Sequence, residues 1–245
     1  MLNFFKKKAS KPFPFSRLEA DMHSHVLPGI DDGSPDIQTS LELIAGLEEL
    51  GYARFITTPH AMEDLYPNNR ETIHAAFLTL KDELIVQRPH TNIRFAAEYM
   101  LDGNIENLLE KKQPLLTIKD NWVLVECSFV SPPLYLRETI FNLQMQGYQP
   151  ILAHPERYSF YHNQPKIYSQ IKSLGLFFQC NLLSFSGYYG SSVRQAAEYL
   201  VQEGLVDLLG TDLHHDRHLQ HLRELPFTPA LATLLDEKGV LNHLL

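Results

Sequence analysis

The chain has 245 residues, 44% of them hydrophobic and 20% charged, with a formal net charge of −8. That length and balance describe one globular domain able to bury a substantial core. The acidic surplus argues against a general nucleic-acid-binding surface. Two cysteines, Cys127 and Cys180, are too few for a disulfide framework and fit a reducing cytoplasm. No apolar run is long enough to span a bilayer. Lys6, Lys7 and Lys8 are not followed by the apolar stretch of a signal peptide. Residues 1–17 read as a flexible tail ahead of a single domain over 18–245.

The hydrophobic pattern alternates strand and helix almost throughout. Strands are predicted over 18–23, 54–60, 93–100, 122–128, 150–154, 176–183 and 205–212. Helices are predicted over 36–50, 71–87, 105–111, 134–146, 167–174 and 193–202, with a mainly helical remainder. Gly51, Gly147, Gly175 and Gly204 stand where helices should stop. Strands separated by helices imply parallel pairing through crossover connections. An open doubly wound sheet and a barrel both satisfy that pattern.

Candidate ligands decide between the two. Asp21-Met22-His23-Ser24-His25 ends the first strand, and histidines two apart on extended chain face the same side. Asp31 follows in a loop that Gly29 and Gly33 allow to fold back. His60, Glu98, Glu126, His154, Asp212 and His214 then recur at the ends of later strands. Taken singly, each has an ordinary explanation. His154 could be a satisfied core histidine, Asp212 a helix cap, His60 a loop residue, and Glu98 or Glu126 a half-exposed strand residue. Together, at equivalent positions, they describe one mixed histidine and carboxylate site, suited to Zn, Mn or Fe. An open sheet gathers its site at one switch point, whereas a barrel brings all its strand ends to one mouth. The barrel is therefore expected.

Thr58-Pro59-His60, His154-Pro155-Glu156-Arg157-Tyr158 and Asp212-Leu213-His214, with the residues above, resemble the motifs of the PHP (polymerase and histidinol phosphatase) domain. Within it the chain looks most like the bacterial metal-dependent protein-tyrosine phosphatases of capsule and exopolysaccharide loci. The resemblance implies a distorted seven-stranded TIM-like barrel with two or three divalent ions, Mn foremost and Fe or Zn as alternatives. Carried over by position, His23, His25, Glu98 and Asp212 would hold one ion. Glu98 as a bridge, Glu126 and His154 would hold a second, and Asp31, His60 and His214 a third. Arg157 would bind the phosphoryl group, with Arg217 as the nearest counterpart of a later arginine. The implied substrate is phosphotyrosine on a protein, namely the tyrosine-rich tail of a bacterial tyrosine kinase controlling polysaccharide export.

Other functions share this residue set. A small-molecule phosphatase of the histidinol-phosphate type would use the same cluster, and an inactive metal-binding interaction module would keep part of it. A nuclease fits poorly with the acidic charge. A cysteine-based phosphatase is disfavoured, because Pro133 and Ser186 stand six positions after Cys127 and Cys180, where an arginine would be needed. Tyr66, Phe129, Tyr158, Tyr188 and Tyr189 lie in loop-like stretches that could line the mouth.

Overall fold

Every predicted strand run contains strand, and the predicted helices follow in order. The computed structural model describes residues 11–245. In chain order the elements are β1 (Ala20–Asp21), α1 (Ile37–Leu50), β2 (Arg54–Thr57), β3 (His60–Ala61), α2 (Arg70–Gln87), β4 (Ile93–Phe95) and β5 (Glu98–Met100). They continue as α3 (Gly103–Glu110), β6 (Trp122–Glu126), α4 (Leu136–Met145), β7 (Gln149–Ala153), α5 (Lys166–Lys172), β8 (Phe177–Asn181), α6 (Ser191–Gln202), β9 (Leu208–Gly210) and α7 (Asp216–Arg223). Helix starts carry local signals. Asp36 accepts from the Thr39 N–H ahead of α1, and Asn69 and Thr72 form a reciprocal capping box on α2. Gly51 ends α1 in the left-handed region, as its position predicts.

The seven predicted runs become nine strands, because two of them are interrupted. Pro59 has no N–H to give to a ladder, so the run predicted over 54–60 splits into β2 and β3, the latter reaching Ala61. Its neighbour splits at Ala96 and Ala97, and single hydrogen bonds carry the pairing across the gap: Ala96 N–H to Thr57 O at 2.8 Å and Glu98 N–H to Pro59 O at 3.0 Å. All ladders are parallel. They form one sheet ordered β1-β2-β4 and another ordered β3-β5-β6-β7-β8-β9. Among the described residues these ladders do not close into a single ring. The chain after β1 nevertheless runs beside the chain after β9. Ser24 and Leu213 form a parallel bridge, and the His25 N–H donates to Leu213 O at 2.8 Å.

The strands are buried on both faces, as parallel sheets require. In β6, Val123 and Val125, with Cys127 just beyond, join the large core beneath the helices. Leu124 faces the other way, into a smaller cluster with Ala20, Met22, Ile56, Ile151 and Leu208. Glu126 is two residues beyond Leu124, so the strand period places a carboxylate directly above that apolar floor. The flexible tail expected over 1–17 does not hold for residues 11–17, where two rings are buried. Residues 1–10 lie outside the described residues, whereas Phe13 and Phe15 are buried. Phe13 packs on Phe227 and Phe15 on Tyr52, with ring centroids 6.0 and 5.7 Å apart. Apolar ring burial outweighs the polar neighbours that make this stretch read as loose.

One buried carboxylate ties the first strand to the last. Asp21 accepts from the Thr211 N–H at 3.0 Å and the Thr211 hydroxyl at 2.8 Å. Burial still pushes its carboxyl up to about 6, against the opposing effect of those hydrogen bonds. Thr211→Val removes one donor from a buried carboxylate and is expected to destabilise the fold by about 1–3 kcal/mol. The lost bond serves the charged form, so the penalty should be present above the folded pKa and shrink as pH falls through about 6. Urea melts at about pH 5 and about pH 8 measure it, and an equal loss at both would contradict this reading.

Candidate metal centre

The carboxyl ends of the strands, and in the two interrupted runs the first residue past the break, deliver the charged side chains. His23 and His25 follow β1, His60 opens β3, Glu98 opens β5, and Glu126 ends β6. His154 directly follows β7, and Asp212 and His214 follow β9. His154 and Asp212 leave their strands in the left-handed region, with φ of 35° and 52°. That conformation costs a non-glycine residue about 1–2 kcal/mol and persists where surrounding contacts over-determine it. Here the Asp212 N–H donates to His23 O at 2.8 Å, which locks one of the two turns.

The side chains converge closely. His23 Nε2 lies 3.2 Å from His25 Nε2, 3.3 Å from Glu98 Oε2 and 3.4 Å from Asp212 Oδ1. His25 Nε2 lies 3.5 and 3.6 Å from the same two oxygens. His60 Nδ1 is 3.1 Å from Glu98 Oε2 and 2.7 Å from Glu126 Oε1. His154 Nε2 is 3.1 Å from Glu98 Oε1 and 4.0 Å from Glu126 Oε2. Two donors each about 2.0–2.2 Å from one ion stand roughly 2.8–3.6 Å apart, so most of these spacings suit shared ions. Glu98 Oε2 supplies a second argument. It is fully buried, and although nitrogens of His23, His25 and His60 lie 3.1–3.5 Å away none is aligned to donate a hydrogen bond to it, an arrangement that a cation shared with those nitrogens would suit. The residues present fit divalent ions.

The loop acids are placed differently from expectation. Asp32, half-exposed, joins His25, His60 and His214 in one potential ligand group. Its Oδ1 is 3.4 Å from His60 Nε2 and 3.6 Å from His214 Nε2. Asp31, named from the sequence, stands behind that group. Its Oδ2 accepts from His25 Nδ1 at 2.8 Å and from the His60 N–H at 3.1 Å, and its Oδ1 from the Gly33 N–H at 3.0 Å. Adjacent loop residues point apart, and Asp31 is spent on orienting two histidines. Gly33 allows the approach, because a Cβ there would come within 2.1 Å of His25 O.

A row of polar residues behind the cluster escaped the sequence reading. Gln179 Oε1 accepts from His23 Nδ1 at 2.8 Å, and its Nε2 donates to Asn181 Oδ1 at 2.9 Å. Asn181 Nδ2 donates in turn to Asp212 Oδ2 at 2.6 Å. The signal was present: two amides at alternate positions inside an otherwise apolar strand. Because Gln179 Oε1 and Asp31 can only accept, they fix the protons of His23 and His25 on Nδ1 and leave each Nε2 lone pair for a ligand.

Arg157 donates to Asp212 Oδ2 at 2.7 Å and lines the cavity over the cluster, together with Phe129, Tyr189, His215 and His218. Arg217 does not line it. It is exposed on the first turn of α7, with its Cζ 6.0 Å from the Tyr188 ring. Among the candidate aromatics, Tyr66 stacks on His60 at 5.7 Å, while Tyr158 is buried with its hydroxyl bonded to Ala153 O. Both cysteines are buried, and burial pushes the Cys127 thiol up to about 12 and holds Cys180 well above the usual thiol range, which suits neither to act as a nucleophile.

Charge coupling is strong throughout. Burial opposes charging His23, yet Glu98 and Asp212 outweigh it and push the imidazole up to about 10. His60 rises to about 12 against its burial, driven by Glu98 and Glu126. Burial, reinforced by Glu98, lifts Glu126 to about 7, and burial holds His154 down at about 4. Asp212 stays well below the carboxylate range despite burial, because His23, His214 and Arg157 face it.

These features define a parallel α/β protein with a candidate metal centre at its strand ends. The chain belongs to the CpsB/CapC family of capsular polysaccharide synthesis, whose profile matches residues 19–224. It is similar to the tyrosine-protein phosphatase YwqE of Bacillus subtilis (28% identity over 229 residues, covering 90% of each chain). It is also similar to the tyrosine-protein phosphatase CpsB of Streptococcus agalactiae serotype V (27% over 201 residues, covering 80% of this chain and 82% of the relative). A crystal structure from the pair YwqE of B. subtilis and CpsB of Streptococcus pneumoniae, described as unique metal-dependent tyrosine phosphatases, superposes with a TM-score of 0.80. Its identity is 27%, over 92% of this chain and 90% of that one.

In the absence of metal the raised histidines carry protons at neutral pH, and these compete with metal for the same nitrogens. Binding should therefore release protons, and affinity should fall as pH drops; below about 7 the Glu126 proton adds to the release. Calorimetric Mn²⁺ titrations in buffers of unlike ionisation enthalpy check this. Heats independent of the buffer would contradict it.

Proposed function

We propose that this protein is a metal-dependent protein-tyrosine phosphatase acting on a phosphotyrosine-bearing protein, the tyrosine-rich tail of a bacterial tyrosine kinase that controls capsular or exopolysaccharide synthesis. The observation that carries the reading is the convergence of histidines and carboxylates around the buried Glu98 oxygen, with Arg157 beside them. Membership of a capsule-synthesis family and likeness to named tyrosine phosphatases supply the substrate class. We take the seven strand runs as a distorted barrel, supported by the Ser24–Leu213 bridge and by the apolar floor shared between distant strands.

Two or three ions, Mn²⁺ foremost, would be held. His23, His25, Glu98 and Asp212 would hold one, Glu98, Glu126 and His154 a second, and Asp32, His60 and His214 a third. When bound, such ions supply Lewis acidity toward the phosphoryl group and its attacking water. The chain's own groups do the rest. Asp31 and Gln179 hold the His25 and His23 rings in the tautomer that keeps Nε2 free. Arg157 uses Nη1 on Asp212 and keeps its other nitrogens for the phosphoryl oxygens, where charge develops. A tyrosyl leaving group has a pKa of about 10, so it departs without the strong general acid that a seryl alkoxide needs.

Phosphotyrosyl and phosphoseryl peptides and histidinol phosphate, assayed in parallel on the metal-loaded protein, test the reading. Phosphotyrosine should be hydrolysed fastest, turnover should vanish after a strong chelator, and Mn²⁺ should restore it. Arg157→Ala should keep the metals and lose about 2–4 kcal/mol of transition-state stabilisation, the scale of one preorganised donor. Arg157→Lys should recover little of this, lacking the planar fork. Equal rates on the two peptides, or a preference for histidinol phosphate, would overturn the assignment.

A further inference from the structure

Arg157 reaches the cavity from the turn Pro155–Arg157 after β7, and two aromatic rings flank its guanidinium. Its Cζ lies 4.7 Å from the Phe129 ring centroid and 4.3 Å from that of Tyr189. The rings come from separate places in the chain, the loop after β6 and the loop before α6. The Asp212 ion pair pins one edge of the guanidinium, and both rings lie within cation–π distance of its carbon. A free arginine must surrender much rotamer freedom to grip an anion. Here that freedom is already gone when the chain has folded.

Tyr189 also packs against the large core, whereas Phe129 is not explained by ordinary packing alone. Phe129 is 44% exposed, a poor site for an apolar side chain, yet it also stacks on His154 with centroids 5.5 Å apart and planes 21° apart. It therefore touches both the arginine and a proposed ligand ring. The Tyr189 hydroxyl is buried and has no hydrogen-bond partner, so what the side chain offers its surroundings is its ring face.

We propose that Phe129 and Tyr189 are positioning residues, an aromatic clamp that holds the Arg157 guanidinium flat and ready for a phosphomonoester dianion. This rests on the reading of Arg157 as the phosphate contact. The clamp acts through Arg157 and needs no contact of its own with the phosphoryl group.

The test is a double-mutant cycle on the Mn²⁺-loaded enzyme. Phe129→Leu, Tyr189→Leu and Tyr189→Phe are each made in the native chain and in Arg157→Ala. The readouts are kcat and KM on a phosphotyrosyl peptide, the inhibition constant of inorganic phosphate, and metal content per chain. In the native chain each leucine variant should lower kcat/KM roughly three- to thirtyfold, the range of a cation–π contact between exposed and desolvated limits. Phosphate inhibition should weaken in parallel with unchanged metal content, and Tyr189→Phe, which keeps the ring, should recover most of the loss. In the Arg157→Ala background the leucine variants should add almost nothing. An equal further loss in that background overturns the clamp, as does a Tyr189→Phe variant as impaired as Tyr189→Leu. If Arg157→Ala alone leaves kcat/KM unchanged, the phosphate-contact reading itself has failed. If that variant is impaired while both leucine variants are normal, the clamp alone is wrong. Should Tyr189→Leu not fold, Phe129→Leu, a change at a half-exposed lip, carries the cycle alone.

Discussion

Glu98 and Asp212 are carboxylates with almost no access to water, and the rest of the site depends on how their charge is met. A buried, uncompensated carboxylate is among the costliest things a fold can hold. Here each faces several histidines, with Arg157 added at Asp212. The coupling runs both ways. The carboxylates hold His23 and His60 far above the usual histidine range, and the imidazoles hold the two acids far below theirs. A cluster so balanced cannot give up one member without unsettling its neighbours. It is also primed for exchange, since cations that displace the protons meet the same demand for positive charge.

Parallel strands make this convergence possible. In β6 one face meets the apolar floor at Leu124 and, two residues later, brings Glu126 to the layer above. The amides of Gln179 and Asn181 extend that layer to a strand that supplies no ligand, and they tie His23 to Asp212 by an uninterrupted path of hydrogen bonds. Asp21 performs the corresponding task one level lower, joining the chain's first strand to its last.

Much of this was legible from the residues, for identifiable reasons. Strands buried on both faces announce themselves as short apolar runs, and a histidine or acid terminating such a run stands out. The loop between β1 and α1 has no period, so nothing in the order of Asp31 and Asp32 tells which turns toward the cluster; only the hydrogen bonds from His25 and Gly33 decide it. Arg217 illustrates the same weakness from the other side, since a spacing borrowed across a loop does not determine which way a helix's first turn faces. Phe13 and Phe15 were masked by neighbouring lysines and prolines, although two rings so close together are expensive to leave in water. Gln179 and Asn181 were overlooked because uncharged amides draw less attention than acids, even though burial makes nearly the same demand on them.

The left-handed backbone at His154 and Asp212 restricts the evolutionary alphabet at those two positions. Asparagine, aspartate and histidine are the non-glycine residues that enter this region most readily, whereas β-branched and bulky side chains resist it. The chain geometry therefore screens candidates before coordination chemistry does, and the residues that pass are largely those able to bind a metal. Glutamate at position 212 would have the right charge but enters that region less readily than aspartate. Drift at these strand ends is thereby channelled toward altered metal preference and away from outright loss of the donor.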